Sequence, residues 1–298
     1  MKQYLIYFLI LLSVYFTGCN SGNKSSDINS KLGDINVSNE KSDKEQTVKK
    51  VFFNLPSPIE LTQVILASKS EYDPSLLNSI DKVNNYESSS KLALNFGIYG
   101  ADLCYCRVYD QLQESINYLA AIKKISDKLQ IPEEEGEKTI NRIEESIENS
   151  DSIFQIIADT YASADGYLKE NDRDLTATFI LLGGWVEGMY FATEINKSKN
   201  SKNKLNHNIA EQKYSIENIM KLIKDYSDNP AIAELMPLFN QLNTVYKDVK
   251  ISYDIPIVIT DNETKVTTID NSSNIDISQK QLDEINNLIV KIRGIIIS

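Results

Sequence analysis

The sequence predicts an all-α protein, a multi-helix bundle with two glycine-rich central helices and one small β-hairpin near the C-terminus. Helix-start signals recur along the chain, because a capping side chain precedes proline at Ser57-Pro58, Asp73-Pro74 and Asn229-Pro230. The last segment, residues 279–296, places its isoleucines and leucines on one helical face. Only residues 251–269 show a strand pattern instead.

The N-terminus reads as an export signal. Lys2 is followed by an apolar run over residues 4–16, interrupted at Ser13, which is too short to span a bilayer comfortably. The run ends in Phe16-Thr17-Gly18-Cys19, which resembles the lipobox of bacterial lipoproteins. The resemblance implies that residues 1–18 are removed and that Cys19 is lipidated. The alternative is an ordinary secretory signal with an incidental cysteine.

The segment after Cys19 differs in composition from the rest of the chain. Residues 20–50 consist mainly of Ser, Asn, Lys, Asp and Gly, which do not bury enough surface to offset the entropy of ordering. We therefore expect residues 19–50 to be a lipidated cysteine and a disordered tether. A flexible coil of this length reaches roughly 30 Å. Residues 51–298 then form a single helical domain.

The capping signals and the apolar periodicity between them set the predicted helices. Ser57 and Glu60 form a capping box, as do Ser278 and Gln281, and acidic residues after Pro132 suit a first helical turn. The predicted helices span residues 57–69, 74–85, 88–129, 132–148, 151–169, 173–196, 206–226, 230–249 and 279–296.

The predicted hairpin covers residues 251–269. Two β-branched runs, residues 255–260 and 265–269, flank the polar turn at residues 261–264. Because an isolated hairpin is marginally stable in water, we expect it to pack on the helical body.

The first glycine-rich helix covers residues 92–109. At 100° per residue, Gly97 and Gly100 share a stripe with Ala93, Cys104 and Val108. Two glycines inside a helix cost about 1 kcal/mol each relative to alanine. Close packing of a partner helix offsets that cost in one interpretation; in the other, the helix breaks at residues 97–100 to admit a ligand.

The second glycine-rich helix covers residues 175–195 and places Gly184 and Gly188 on one stripe. Its Glu187 and Tyr190 repeat the spacing of Asp102 and Tyr105, which suggests an internal duplication. Two such helices would pack together at the centre of the body. We then expect Asp102 and Glu187 to lie within one side-chain shell of each other, with tyrosines between them.

The face of the first helix opposite its small residues carries Asp102. If that face is buried, it forms a hydrogen-bonded network or a site with perturbed pKa values; if it is exposed, it is a solvated face. Its other polar members are Asn95, Tyr105, Cys106, Tyr109 and Gln113. The candidate ligand-binding residues are Asp102, Tyr105, Tyr109, Glu187 and Tyr190.

Motifs of catalysis and cofactor binding are missing from the sequence. His207 is the only histidine and lies in a polar segment, where we expect it to be exposed rather than catalytic. No phosphate loop, nucleophile elbow or calcium loop occurs, so we predict no catalytic residues, no cofactor and no metal. With 31 basic against 42 acidic residues, the net charge of −11 makes nucleic acid an unsuitable partner.

The two cysteines of the body, Cys104 and Cys106, are predicted to be free thiols. On a helix, residues two apart diverge by about 160°, which does not satisfy disulfide geometry. We expect burial to protect both thiols.

The body, in particular residues 55–60 and 92–109, resembles uncharacterised helical lipoproteins from Bacteroidota-type bacteria. The resemblance covers residues 52–253 and implies no activity. Starch-binding outer-membrane lipoproteins are longer and carry tetratricopeptide-like repeats not found here. Imelysin-like proteins share a duplicated helical bundle, but the stretch from Gly97 to Asp102 lacks the histidine of their Gly-x-His-x-x-Glu motif.

These features predict a lipid-anchored protein of the bacterial cell envelope. The anchor implies a membrane partner, and Asn20 after the lipidated cysteine is compatible with the outer membrane, facing either side. We expect a non-catalytic binding or assembly module with an envelope protein partner. The alternative is a small-ligand-binding protein or a carboxylate-dependent hydrolase with its site near Asp102 and Glu187.

Overall fold

The computed structural model describes residues 70–131, 142, 166–168, 170–198, 204–253, 257–260, 267–270 and 273–298. The signal segment, the tether and the predicted helix 57–69 lie outside these residues. So do the predicted helices 132–148 and 151–169, apart from residues 142 and 166–168.

The described residues form an all-α bundle with a small antiparallel β region near the C-terminus, which confirms the predicted fold class. The α-helices are α1 (Ser89–Val108), α2 (Leu112–Lys128), α3 (Asp174–Ser198), α4 (Lys204–Lys224), α5 (Pro230–Lys247) and α6 (Gln279–Ile296). The strands are β1 (Lys250–Tyr253), β2 (Ile257–Thr260), β3 (Thr267–Asp270) and β4 (Ser273–Asp276). Two 3-10 helices, Pro74–Leu76 and Ile80–Asn84, precede α1.

Side-chain caps begin several of these helices where the sequence predicts them. Asn229 accepts a hydrogen bond from the backbone of Ala231 at the start of α5, directly before Pro230. Ser278 and Gln281 form a complete capping box on α6. The bounds of α6 agree with the predicted helix 279–296.

The predicted helix 88–129 is wrong as one element, because the chain reverses between α1 and α2. Asp110 has a φ of 54°, and the Gln111 backbone N–H donates to the Cys106 carbonyl at 2.9 Å. This is the bond that closes a helix with a left-handed residue after its last turn. Aspartate tolerates that conformation, so the turn needs neither the glycine nor the proline that would mark it in the sequence.

The predicted helix 74–85 is also wrong, since this stretch forms the two short 3-10 helices with extended backbone at Leu77. Asp73 caps the first of them, as its position before Pro74 indicates. A continuous helix does not form because side chains of the bundle donate to backbone carbonyls that would otherwise accept helical hydrogen bonds. Arg293 binds the Leu76 carbonyl and Tyr118 binds the Asn78 carbonyl.

The β region contains the hairpin that the two β-branched runs predict, together with a second pair of strands. β2 pairs with β3, and β1 pairs with β4 outside them.

Helices α1 and α3 are the centre of the bundle. All residues from 92 to 108 are buried, and α2 packs on the outside of α1. Helices α4 and α6 pack on α3, and α5 lies against both of them. Residues Asp174–Lys197 are long and apolar enough to cross a membrane, but 78% of their most apolar stretch is buried in the bundle, as in the core helix of a globular protein.

Groups from elsewhere in the fold cap the last turn of α6. Asn95 Nδ2 donates to the Ile296 carbonyl at 3.0 Å, and Lys82 Nζ donates to the Ile297 carbonyl at 3.2 Å. Lys91 Nζ also donates to the Ile295 carbonyl. These donors satisfy carbonyls that have no partner within the helix and place positive charge at its negative end.

Backbone contact between α1 and α3 depends on glycine. A Cβ atom at Gly97 would overlap the Ile180 carbonyl and the backbone nitrogen of Gly184, and one at Gly183 would overlap the Leu94 carbonyl. The close-packing interpretation is confirmed at Gly97, and Gly183 belongs to the contact although the predicted stripe omits it. The alternative of a broken helix is wrong, since α1 is continuous.

We expect Gly97→Ala to lower the free energy of unfolding by about 1–3 kcal/mol, because the added methyl group meets rigid backbone rather than a movable side chain. Gly294→Ala is the matched control. Gly294 lies in α6 with no atom within 4 Å of its Cβ position, so alanine there raises the unfolding free energy by about 0.5–1 kcal/mol. Urea unfolding of both variants measures the difference. Equal stability of the two would contradict the packing account.

Candidate functional site

The contact between α1 and α3 brings together two acidic side chains. Asp102 of α1 and Glu187 of α3 each have 0% of their surface exposed. Burial raises the pKa of Asp102, and the charge of the neighbouring Glu187 raises it further. The expectation that the two acids share one side-chain shell is therefore confirmed.

Arg293 of α6 pairs with one of these acids. Its Nε lies 2.6 Å from Glu187 Oε2 and its Nη2 lies 2.7 Å from Glu187 Oε1, so the pair is bidentate. Nη2 also donates to the Leu76 carbonyl at 3.0 Å, and the guanidinium lies 4.0 Å from the centre of the Tyr190 ring. Burial lowers the pKa of Arg293, but the charge and hydrogen bonds of Glu187 outweigh it and raise the pKa. Arg293 is a fixed cation.

Asp102 has a different environment from Glu187. Burial, followed by the charge of Glu187, raises its pKa well above the ordinary value, while Arg293 and the Asn78 N–H act in the opposite direction. Oδ1 accepts one long hydrogen bond from the Asn78 backbone at 3.5 Å. Oδ2 accepts none among the described residues.

Two buried carboxyl groups with one buried cation favour binding of one proton. Burial, followed by the charge of Glu187, raises the pKa of Asp102, so we assign this proton to Asp102. The cluster of Asp102, Glu187 and Arg293, which we call the charge cluster, is then electrically neutral. Neutrality matters because an uncompensated charge in a buried site is expensive.

Asn78 connects the charge cluster to a wider polar network. Its Nδ2 lies 3.1 Å from the Tyr86 hydroxyl and 3.4 Å from Asn95 Oδ1, and its carbonyl accepts from the Tyr118 hydroxyl at 2.8 Å. Asn95 in turn binds the end of α6. The network therefore joins α1, α2, α6 and the segment before α1.

The candidate tyrosines surround the charge cluster but do not lie between its acids, so that part of the expectation is wrong. Tyr105 is fully buried and stacks on Phe191, with ring centres 4.5 Å apart. Tyr109 is half-buried, and its hydroxyl hydrogen-bonds to Ser70. Tyr190 is half-buried and covers Arg293. The group that binds Glu187 is Arg293 rather than a tyrosine.

From Asn95 to Cys106 the polar face of α1 is thus a buried hydrogen-bonded network, so the solvated-face interpretation is wrong there, whereas Gln113 lies in α2 and is exposed. Arg293, which completes the network, was not among the candidate residues. Its signal was present in the sequence, because Arg293 lies four residues after Ile289 and three before Ile296, on the apolar face of α6. A charged residue within such a face indicates a buried partner.

The remaining candidate groups are structural. Cys104 and Cys106 are free and buried, which confirms the prediction, and burial raises the pKa of each thiol to about 12.

His207 is 39% exposed, and its Nε2 lies 3.2 Å from both Glu211 Oε1 and Ser273 Oγ. A serine–histidine–acid relay uses both ring nitrogens, so this arrangement does not form one. Within the described ranges, no three of the histidine, cysteine and acidic side chains are placed to hold a metal ion.

Comparisons with known proteins add no identification. No protein-family model matches the chain, and neither curated proteins nor solved structures give a match. The resemblance to Bacteroidota-type lipoproteins stays a prediction, and the suggested duplication likewise. Function has to be argued from the bundle and its charge cluster.

We expect Arg293→Met to lower the free energy of unfolding by about 3–5 kcal/mol, because it leaves the Glu187 charge buried without a partner. The double variant Glu187→Leu/Arg293→Met should recover most of this loss, since it removes both charges. A double-mutant cycle by urea unfolding measures the coupling. A loss below about 1 kcal/mol in the single variant would show that the pair is not essential to the fold.

Proposed function

We propose that this protein is a lipid-anchored component of a bacterial cell envelope that acts as a non-catalytic binding or assembly module. The proposal rests on the observation that neither acid of the charge cluster is accessible to a substrate. Both oxygens of Glu187 bind Arg293, and the side chain of Asp102 is fully buried. A carboxylate-dependent hydrolase needs a carboxyl group that reaches its substrate.

The proposed anchor rests on the N-terminal sequence. Cys19 follows an apolar export segment and precedes about 30 polar residues, so the bundle would stand clear of the lipid on a flexible tether. The net charge of −11 disfavours direct adsorption to anionic lipid. Attachment would therefore depend on acylation, in the outer membrane by our proposal.

The proposed partner is an envelope protein, and one surface suits it. Tyr214 of α4 and Tyr253 of β1 are 44% and 52% exposed, and their hydroxyl groups lie 3.2 Å apart. Tyrosine is enriched at protein interfaces because it buries a large rigid ring and offers a hydroxyl group. We call these two residues the tyrosine pair.

We expect Cys19→Ala to abolish incorporation of a fatty-acid analogue and to leave an uncleaved or mislocalised precursor, because the acyl acceptor is gone. Metabolic labelling followed by membrane fractionation measures both effects. Cys104→Ala is the control and should keep the label, since that thiol is buried. Label that persists in Cys19→Ala would refute the anchor.

A photo-crosslinking amino acid at Tyr253 should yield a discrete crosslinked species in intact envelopes. The same residue at Val290, which is 41% exposed on α6, is the control for general surface collisions. Mass spectrometry of the crosslinked species identifies the partner. Equal, weak crosslinking at both positions would count against a protein partner at this face.

A further inference from the structure

The buried charge cluster shows how this chain holds an arginine. Glu187 and Tyr190 lie three residues apart on α3 and therefore on one side of the helix. The carboxylate of Glu187 accepts from Nε and Nη2 of Arg293 at 2.6 and 2.7 Å, and the guanidinium lies 4.0 Å from the centre of the Tyr190 ring. Carboxylate and ring together match the two features of a guanidinium, its planar donors and its charged face.

The same two residue types recur at the same spacing on the surface of α4. Glu211 and Tyr214 are three residues apart, and their side chains are 36% and 44% exposed. A second ring adjoins them, because Tyr253 of β1 places its hydroxyl 3.2 Å from that of Tyr214. We call Glu211 together with the tyrosine pair the acidic tyrosine face.

The strand pair β1–β4 brings Tyr253 to α4. Tyr253 is opposite Ser273 in the ladder, and Ser273 Oγ lies 3.2 Å from His207 Nε2. His207, Glu211 and Tyr214 follow one another at spacings of four and three residues, so they share one side of α4. Contacts at His207 and Tyr214 therefore hold the strand pair against α4, and Glu211 lies between these contacts.

The carboxylate of Glu211 is close enough to act on the rings. The pKa of Tyr253 is raised to about 12, first by its hydrogen bond with Tyr214, and burial and the charge of Glu211 add to the increase. The acidic tyrosine face therefore combines exposed aromatic rings with a negative charge, as the surroundings of Arg293 do in the interior.

Glu211 has no basic partner of its own within the described residues, where no lysine or arginine forms an ion pair with it. The nitrogen that it contacts there is His207 Nε2, at 3.2 Å. Lys213, two residues further along α4, directs its Nζ to the Val249 carbonyl at 2.6 Å. Because a carboxylate accepts several hydrogen bonds, the contact with His207 leaves room for a further donor.

We infer that the acidic tyrosine face binds an arginine side chain of the protein partner, with the guanidinium against the exposed rings and its donors on Glu211. This inference rests on the proposed function, since the arginine comes from the envelope protein proposed to bind the tyrosine pair. Arginine suits this face better than lysine, because its planar group stacks on a ring and donates two parallel hydrogen bonds to a carboxylate. Arginine is also enriched at protein interfaces.

Fluorine NMR of the full-length protein labelled with 3-fluorotyrosine tests the arginine contact. The probe is the peptide acetyl-Gly-Arg-Gly-amide, and the control peptide carries citrulline, which has nearly the shape of arginine without its charge. Tyr214→Phe and Tyr253→Phe assign the two signals. We expect the arginine peptide to shift both signals in a saturable manner and the citrulline peptide to leave them in place.

Glu211→Gln should raise the dissociation constant of the arginine peptide about threefold to fivefold, the effect of losing one exposed charge pair. Glu234→Gln is the matched control, because it removes the same charge from an exposed position on α5 and should leave the dissociation constant unchanged. Equal binding of the two peptides, or equal dissociation constants in the two variants, would overturn the inference.

Photo-crosslinking from position 253 separates this inference from the proposed function. Adding Glu211→Gln should lower the yield of the crosslinked partner in intact envelopes, whereas adding Glu234→Gln should not. A partner captured equally well in both variants would overturn the arginine contact and leave the proposed partner surface in place. Binding of the arginine peptide without any crosslinked protein would overturn the protein partner as the source of the arginine.

Discussion

The backbone contact between α1 and α3 is the constraint on which the rest of the structure depends. Gly97 and Gly183 let the two helices meet without intervening side chains, and the acids that follow on each helix then share one buried volume. That volume needs one cation and one proton to be neutral. Arg293 supplies the cation, which fixes the position of α6, and its Nη2 also donates to the Leu76 carbonyl in the segment before α1.

Local signals in the sequence predict those parts of the fold that local chemistry decides. The bounds of α6 follow from a capping box and an apolar face, and the start of α5 follows from Asn229 and Pro230. The break between α1 and α2 was not predictable in this way, because it depends on one aspartate in a left-handed conformation. Residues 74–85 are predicted as a helix because the side chains that compete for their backbone groups come from distant parts of the sequence.

The candidate site, too, is predictable only where local features of the sequence decide it. Asp102 and Glu187 were predictable because each lies on a glycine-rich helix, and close packing of those helices forces the acids together. Their partner Arg293 is missing from the predicted site, although a lone charge on the apolar face of α6 indicates a buried partner. The segment before α1 joins the network through Asn78, and no periodicity in the sequence predicts its position.

The two thiols of α1 bear on the conditions in which the chain can fold. Cys104 and Cys106 are buried and unpaired, and they are the only cysteines of the chain apart from Cys19. The folded body therefore contains no covalent bond that an oxidising compartment must supply. Its folding therefore does not depend on disulfide-forming enzymes or on the redox potential around it, so the same native state is reached in an oxidising and in a reducing compartment.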